Sequence, residues 1–399
     1  MNRPLFVLSL ALFASMLGNG VVMPFLPLYA QQFAASGTAV GMLFGAHSAA
    51  RTFLLPIIGR TSDRHGRKAF LLGGMLLYAV AAIAYLLANS LFTLVLVMAV
   101  QGIATAMIQP TSLAYVGDLT PKGKEGTYAG YANTAFLGGV AGGPVLGGVI
   151  KDLFSMQMSF IVLGILSLLS FLLLLAFLPD SQRKQTATKA GTLPWRAIMS
   201  SRPILGVTFF RLVYSLSNII VWIFIPLLAA HLLSLNTTQI GLLISLNVLV
   251  STLLQSPCGR LADRMSKALL IGAGGSVSAL ALAAFPFASH FWHLLVLNLL
   301  IGVGFGFAYP AHMALAMEHA PDSNMGTVMS MLLTVHSFAM TVVPPLFGVL
   351  VDRYTLSSAF YIAGVLSLVA LVICCALIRT TSRRSSVESV QEGEPAVTD

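Results

Sequence analysis

Charge is what this chain has least of. Asp, Glu, Lys and Arg make up 9% of its 399 residues, against 57% hydrophobic residues. A soluble domain averages about 25% charged residues, and a water-facing surface cannot be covered with so few. Cysteine is scarce too. Cys258, Cys374 and Cys375 lie in apolar stretches, with no spacing for a disulfide framework or a metal site. No cofactor and no metal are expected. A P-loop lysine motif, an H-E-x-x-H pair, paired intramembrane aspartates and a Ser–His set with an orienting acid are all missing. The sequence therefore supports neither ATP-driven work nor a membrane-embedded enzyme. The run Gly272-Ala273-Gly274-Gly275 opens no soluble βαβ unit and is no nucleotide loop; it falls within the ninth apolar span.

What is present is a series of long runs free of Asp, Glu, Lys and Arg. Residues 4–50, 69–117, 212–259 and 268–317 are each long enough for two bilayer spans of about 20 residues. Polar breaks at residues 31–38 and at Asn89-Ser90 divide the first two runs. Residues 127–150, 158–178, 327–351 and 359–378 fit one span each, which makes twelve. The first run exceeds a signal-peptide h-region and continues into the rest of the fold. The net charge of +9 is topological. With the N-terminus in the cytoplasm, nearly all loop bases fall on the cytoplasmic side; Lys151 and Arg353 fall outside, and Arg51 and Arg211 within spans. The positive-inside rule then puts both termini in the cytoplasm of a multi-pass inner-membrane protein. The expected macromolecular surroundings are the lipid bilayer, with no nucleic-acid partner, and a monomer is expected.

The chain repeats itself at an offset close to 200 residues. Gly59-Arg60 and Asp63-Arg64 return as Gly259-Arg260 and Asp263-Arg264; Pro110, Pro121, Gly126 and Thr127 return as Pro310, Pro321, Gly326 and Thr327. Pro144, Leu146, Gly148 and Asp152 return as Pro344, Leu346, Gly348 and Asp352. Repeated glycines and prolines mean shared backbone geometry. Six spans per half in one orientation is a parallel repeat. The predicted fold is an all-α membrane protein of two pseudo-symmetric six-helix bundles: residues 1–179, a cytoplasmic linker at 180–202, residues 203–379, and a disordered cytoplasmic tail at 380–399.

Three motifs carry a family resemblance. Residues 59–68, GRTSDRHGRK, place Gly59, Asp63, Arg64, Gly66, Arg67 and Lys68 in a tight turn between two spans. The second copy keeps Gly259, Asp263 and Arg264 but has Ser266 at the second glycine. The fifth span carries Gly139, Gly143, Pro144, Gly147 and Gly148, small residues that allow close helix approach. The first span holds Leu17-Gly18, Pro24 and Pro27. The loop resembles the signature G-x-x-x-D-R-x-G-R-K/R of the major facilitator superfamily. The fifth and first spans resemble the antiporter motifs of its drug:proton antiporter-1 family of twelve-span exporters. The resemblance implies that Asp63 meets the helix start at Gly326-Thr327 in the outward-open state, and by the same geometry Asp263 meets Gly126-Thr127. Two positions depart from it. In the fourth span Gln101-Gly102 are present, but Met98 stands where the family has an arginine linked to proton transfer. In the first span Asn19 stands where many proton-coupled exporters have a carboxylate.

Candidates for substrate and proton follow. Arg51 lies eight residues before Gly59, roughly 12 Å into the membrane, and Arg211 is at similar depth in the seventh span. Either they attract an anionic substrate in the cavity or they snorkel to the interface. Asn19, Gln101, Gln109, Tyr131, Asn133, Asn218, Trp222 and Tyr309 complete the cavity candidates, with interhelical hydrogen bonding as the competing role. His47, His312 and His336 are the candidate proton carriers, since histidine titrates near neutrality. The expected function is export of small molecules, drug-like compounds or an endogenous metabolite such as a siderophore, by proton antiport with alternating access. The alternative is a proton-independent facilitator or importer of an anionic metabolite. A membrane-embedded enzyme is a remote third.

Overall fold

The computed structural model describes residues 3–121, 123–180, 201–319 and 325–392, without the side chains of 125, 325–327 and 379–392. Among the described residues are twelve helices long and apolar enough to cross a bilayer. They are α1 Arg3–Phe33, α2 Gly37–His65, α3 Arg67–Leu87, α4 Leu91–Leu119, α5 Gly126–Leu153 and α6 Met156–Phe177. The second set is α7 Arg202–Leu233, α8 Thr237–Ala262, α9 Lys267–Phe287, α10 Phe291–His319, α11 Val328–Arg353 and α12 Leu356–Ile378. Helix is the form that satisfies every backbone polar group within its own segment, which hydrocarbon demands. The short connections supply caps. Ser36 accepts from the Ala39 N–H, and Ser90 and Asn236 make capping boxes with Thr93 and Gln239.

The packing pattern of the first half recurs in the second. Helix α1 lies on α5 and α6, α2 on α4, and α3 on α4 and α6; correspondingly α7 lies on α11 and α12, α8 on α10, and α9 on α10 and α12. The main joints between halves are α2 with α11 and α5 with α8. Both α1 and α7 are irregular near their far ends. Helix α1 tightens to a 3₁₀ turn at Met23–Phe25 before Pro27, and α7 widens to a π turn at Ile220–Phe224 before Pro226. Proline has no N–H to give and forces the preceding turn to adjust.

The start of α1 and the end of α12 lie at one face of the bundle, the terminal face; the loops after α1, α3, α5, α7, α9 and α11 lie at the opposite face. One hydrophobic core joins both halves, and its first-half members include Val21, Phe25, Tyr29, Val40 and Phe44, all toward the opposite face. A second core, with Leu5, Leu12, Leu71, Tyr115 and Leu178, is confined to the first half at the terminal face. The halves thus share a core at one face only.

Two segments bear on the expected boundaries. Residues 181–200 of the linker are outside the described residues. The last helix continues to Glu392, past residue 380, where the composition reads as a disordered tail. No glycine or proline interrupts it between Gly364 and Gly393, and extending an existing helix needs no new nucleus.

Candidate functional site

The joint between halves is built twice by the same residues. At the far end of α11, Asp352 accepts from the Gly37 N–H (2.5 Å), the Thr38 N–H (2.9 Å) and the Thr38 hydroxyl (2.6 Å) at the start of α2. At the far end of α5, Asp152 accepts from the Thr237 N–H (3.0 Å), the Thr238 N–H (2.7 Å) and both threonine hydroxyls at the start of α8. Each carboxylate thus answers the orphan donors and positive end of a helix in the other half. Hydrogen bonds to a charged group contribute about 1.5–3 kcal/mol each in favourable settings. Below each clasp the backbones touch. A β-carbon on Gly41 or Gly241 would collide with the Pro344 or Pro144 carbonyl, and one on Gly348 or Gly148 with the Gly37 or Thr237 carbonyl. Gln31 of α1 donates to His231 of α7 at the same face (2.6 Å).

The terminal face is arranged otherwise. Gly59, Gly66, Gly117, Gly126 and Gly130 have no neighbouring atom within 4 Å of where a β-carbon would sit, and Gly259 meets only Pro310, at 4.0 Å. Asp63 is 60% exposed and pairs with Arg67 of its own loop (3.1 Å). Arg67 also binds Asp118 (2.6 Å) and the Ala114 carbonyl at the end of α4, while Lys68 lies 3.8 Å from Asp180. Arg64, Asp263 and Arg264 are exposed. The contact implied for Asp263 with Gly126-Thr127 is not made, and Asp63 is engaged within its own half. The resemblance assigns those contacts to the outward-open state, and the structure holds the halves together at the opposite face instead. Gly66 has φ +97°, a conformation that glycine adopts without steric cost; Ser266 in the second copy has φ −59°, and α8 ends sooner.

The glycine motif of α5 faces two ways. Gly139, Gly143 and Gly147 lie against Phe13, Gly20 and Val21 of α1, while Gly148 and Pro144 lie against α8. The Val145 N–H, near the proline, donates to Ser245 of α8 (3.1 Å). One helix is thereby packed to its own half and hinged on the other.

Interior polar residues form three groups, one of them the buried pair Asn247 and Asn298, in which Asn247 donates to the Asn298 carbonyl (2.7 Å) between α8 and α10. In the first half, Tyr85 donates to Gln101 (2.5 Å), and Gln101 to Asn19 (2.8 Å), tying α3, α4 and α1 together. Gln101 is fully buried, so this network serves packing. Met98, at the family's arginine position, is also fully buried. His47 packs between α2 and α4, where a β-carbon on Gly102 would strike its carbonyl. Arg51 of α2 donates to Gln109 of α4 (2.6 Å). Gln109 lines a small cleft with Leu12, Ser112, Leu113, Ala132 and Asn133, in the terminal half of α1, α4 and α5. Tyr131, on the same stretch of α5, is exposed and not among the cleft's lining residues.

In the second half, Arg211 is 6% exposed and stacks over Tyr214 (5.2 Å) and Tyr309 (5.7 Å). Tyr214 meets Phe305 at 4.9 Å, Tyr309 at 5.0 Å and His336 at 6.2 Å, and hydrogen-bonds Asn218. His336 bonds the Ser215 hydroxyl (2.8 Å); His312, fully buried, lies 5.1 Å from Phe210. Trp222 packs beside the shared core in the π turn, apart from this cluster. Of the sequence candidates the cluster brings together Arg211, Asn218, Tyr309 and His336, and it adds Tyr214 and Phe305, which the sequence pattern did not single out; nor did that pattern single out Asp152 and Asp352 as joints between the halves. Tyr214 was findable, three residues after Arg211 and so on the same helical face.

Comparison with known proteins fits this geometry. The chain is 25% identical over 378 residues to an uncharacterized MFS-type transporter of Methanocaldococcus jannaschii, covering 94% of this chain and 97% of that one. It is 23% identical over 324 residues to the quinolone resistance protein NorA of Staphylococcus aureus, covering 78% and 80%. A bacterial homolog of the human lysosomal transporter Spinster, solved inward-facing and unoccupied, superimposes with a TM-score of 0.79 at 16% identity, over 96% of this chain and 98% of that one. The similarity to NorA agrees with the drug:proton antiporter-1 resemblance of the helix motifs. The profile described as Major Facilitator Superfamily matches residues 8–218 and again 207–398, once for each half, and the chain belongs to that superfamily.

Proposed function

We propose that the protein is a secondary transporter that exports small molecules across the inner membrane, with both termini cytoplasmic, as a monomer driven by proton antiport. The observation that carries this reading is the joint between halves, closed by paired carboxylate clasps at one face, while at the other the glycines Gly59, Gly66, Gly117, Gly126 and Gly130 meet no neighbour among the described residues. Such an arrangement is one end state of alternating access. With the base-rich terminal face in the cytoplasm, it is the inward-facing state. The similarity to NorA, and the α5 glycines that hinge one half on the other, favour export.

The test uses everted membrane vesicles and a fluorescent quinolone. Energised vesicles should accumulate it, and a protonophore should stop accumulation. Accumulation that persists without a proton gradient removes the antiport component.

A second reading has its own support. Fully buried Met98 replaces the arginine, and Asn19 is occupied in a hydrogen bond to Gln101. Neither can carry a proton. Counterflow in vesicles with no pH gradient would establish the proton-independent facilitator. The interior histidines His47, His312 and His336 are the proton carriers on the first reading.

A further inference from the structure

We propose that Arg51 and Arg211 form a two-point site, one point in each half, for an organic anion with an aromatic body; the proposal rests on the transporter reading and names its substrate class. Arg51 stands on α2, whose Gly45 packs against Thr341 and Pro345 of α11, and Arg211 stands on α7 one turn before Ser215, which bonds His336 of α11 (2.8 Å), so that α11 brings both guanidiniums to one seam, where they repel one another. Neither guanidinium is in an ion pair among the described residues. The Nε of each is buried and without a hydrogen-bond partner there. Uncompensated charge in a low-dielectric interior is costly and is retained where something of opposite charge is to be bound. The neighbours of these arginines are a glutamine, tyrosines, a phenylalanine and histidines, none of which supplies a negative charge.

The chemistry of the occupant follows from what surrounds the charges. A guanidinium presents paired N–H donors that match a carboxylate or phosphate. Tyr214, Phe305 and Tyr309 form an aromatic wall beside Arg211. Gln109 holds Arg51 at the edge of the cleft in the terminal half. A carboxylate between the two guanidiniums would turn repulsion across the seam into attraction. Binding would then draw the open face together, which is the step an exporter needs after loading from the cytoplasm. An organic cation would meet two like charges.

The test is thermal stabilisation and equilibrium binding on purified protein with naphthoate, naphthyl phosphate, neutral naphthamide and naphthylmethylammonium. The two anions should raise the unfolding temperature in a concentration-dependent manner and the other two should not. Arg51→Gln and Arg211→Gln should each raise the Kd for naphthoate about tenfold or more, the loss of one charge-assisted contact. The Arg51→Lys, Arg211→Lys double variant should fall between. Equal binding of naphthamide, or unchanged naphthoate binding by a double glutamine variant with the wild-type elution profile, overturns the site. Transport separates this from the parent reading. Vesicles that move the cation but not the anions sink the anion site and keep the exporter, whereas a protein that binds naphthoate and moves none of the panel keeps the site and sinks the exporter.

Discussion

The two halves share a scaffold and differ in what they enclose. Asp152 and Asp352, Gly148 and Gly348, Pro144 and Pro344, and Gly41 and Gly241 stand at equivalent places and make equivalent contacts. The ion pairs Arg67–Asp118 and Lys267–Glu318 also correspond, each tying the start of a helix to the end of the next. The interiors do not correspond. The first half holds a network of Asn19, Gln101 and Tyr85, whereas the second has a separate amide pair, Asn247 with Asn298, and an aromatic cluster around Arg211. On the proposed transporter reading, residues kept at the 200-residue offset are the moving parts, because alternating access needs both joints to open and close together. Residues that break the offset are free to fit a ligand, which has no reason to share the protein's symmetry.

That division can be broken most severely at the backbone contacts. Gly148→Val and Gly348→Val each push a side chain into a carbonyl of the other half, and overpacking of this kind costs about 1–3 kcal/mol or more. Because the contact exists only while the opposite face is closed, both variants should fold, reside outward-open and lose most transport. Cysteine accessibility at the opposite face measures the shift. If one of the pair transports normally, the two joints are not equivalent. Next in size are the clasps. Asp152→Asn and Asp352→Asn remove the charge from several hydrogen bonds and should each shift the conformational equilibrium toward outward-open by about 1.5–3 kcal/mol, read as interspin distances across the opposite face. The double variant should exceed either alone. A double variant with wild-type distances would show that the glycine contacts suffice.

The scaffold was legible in the sequence because it is written in absences and repeats. Runs without charge marked the spans, and glycines and prolines recurring at one offset marked the paired joints. The clasps were not legible, although Asp152 and Asp352 stood out as a repeated pair. Their partners lie 85 and 314 residues away in the chain, and an acid at a span end looks the same whether it meets water or another helix. The cavity candidates were legible as residue types but not as neighbours. Asn19 and Gln101 read either as cavity amides or as interhelical hydrogen-bond partners, and the fold joins them to each other, while Gln109 reaches Arg51 across 58 residues. The loop at residues 59–68 suggested a contact of the outward-open state. A sequence holds every end state at once, and the structure shows one in which the halves are clasped at the opposite face.

A smaller effect sharpens the comparison at the two loops. Gly66 has φ +97°, so Gly66→Ala should lower stability by about 1 kcal/mol through backbone strain. Ser266 has φ −59° and carries a side chain without strain, so Ser266→Ala should change little. Thermal unfolding in one detergent compares them. Equal losses would mean that the loops share a conformation despite the substitution.

The smallest difference expected lies in the paired ion bridges at the terminal face. Lys267–Glu318 spans 2.6 Å, with the glutamate side chain 51% exposed. An exposed pair of this kind contributes about 0–1 kcal/mol, so Glu318→Gln should leave the unfolding temperature nearly unchanged. Asp118 is only 20% exposed, and its partner Arg67 also bonds Asp63 and the Ala114 carbonyl. Asp118→Asn leaves that arginine half-buried with its other bonds intact and should cost more than Glu318→Gln, though less than either clasp variant. High salt should leave the gap open, because it screens the exposed pair more than the half-buried one. A Glu318→Gln loss as large as that of Asp118→Asn would mean that exposure does not set the difference, and that the two halves are more alike at this face than their loops suggest.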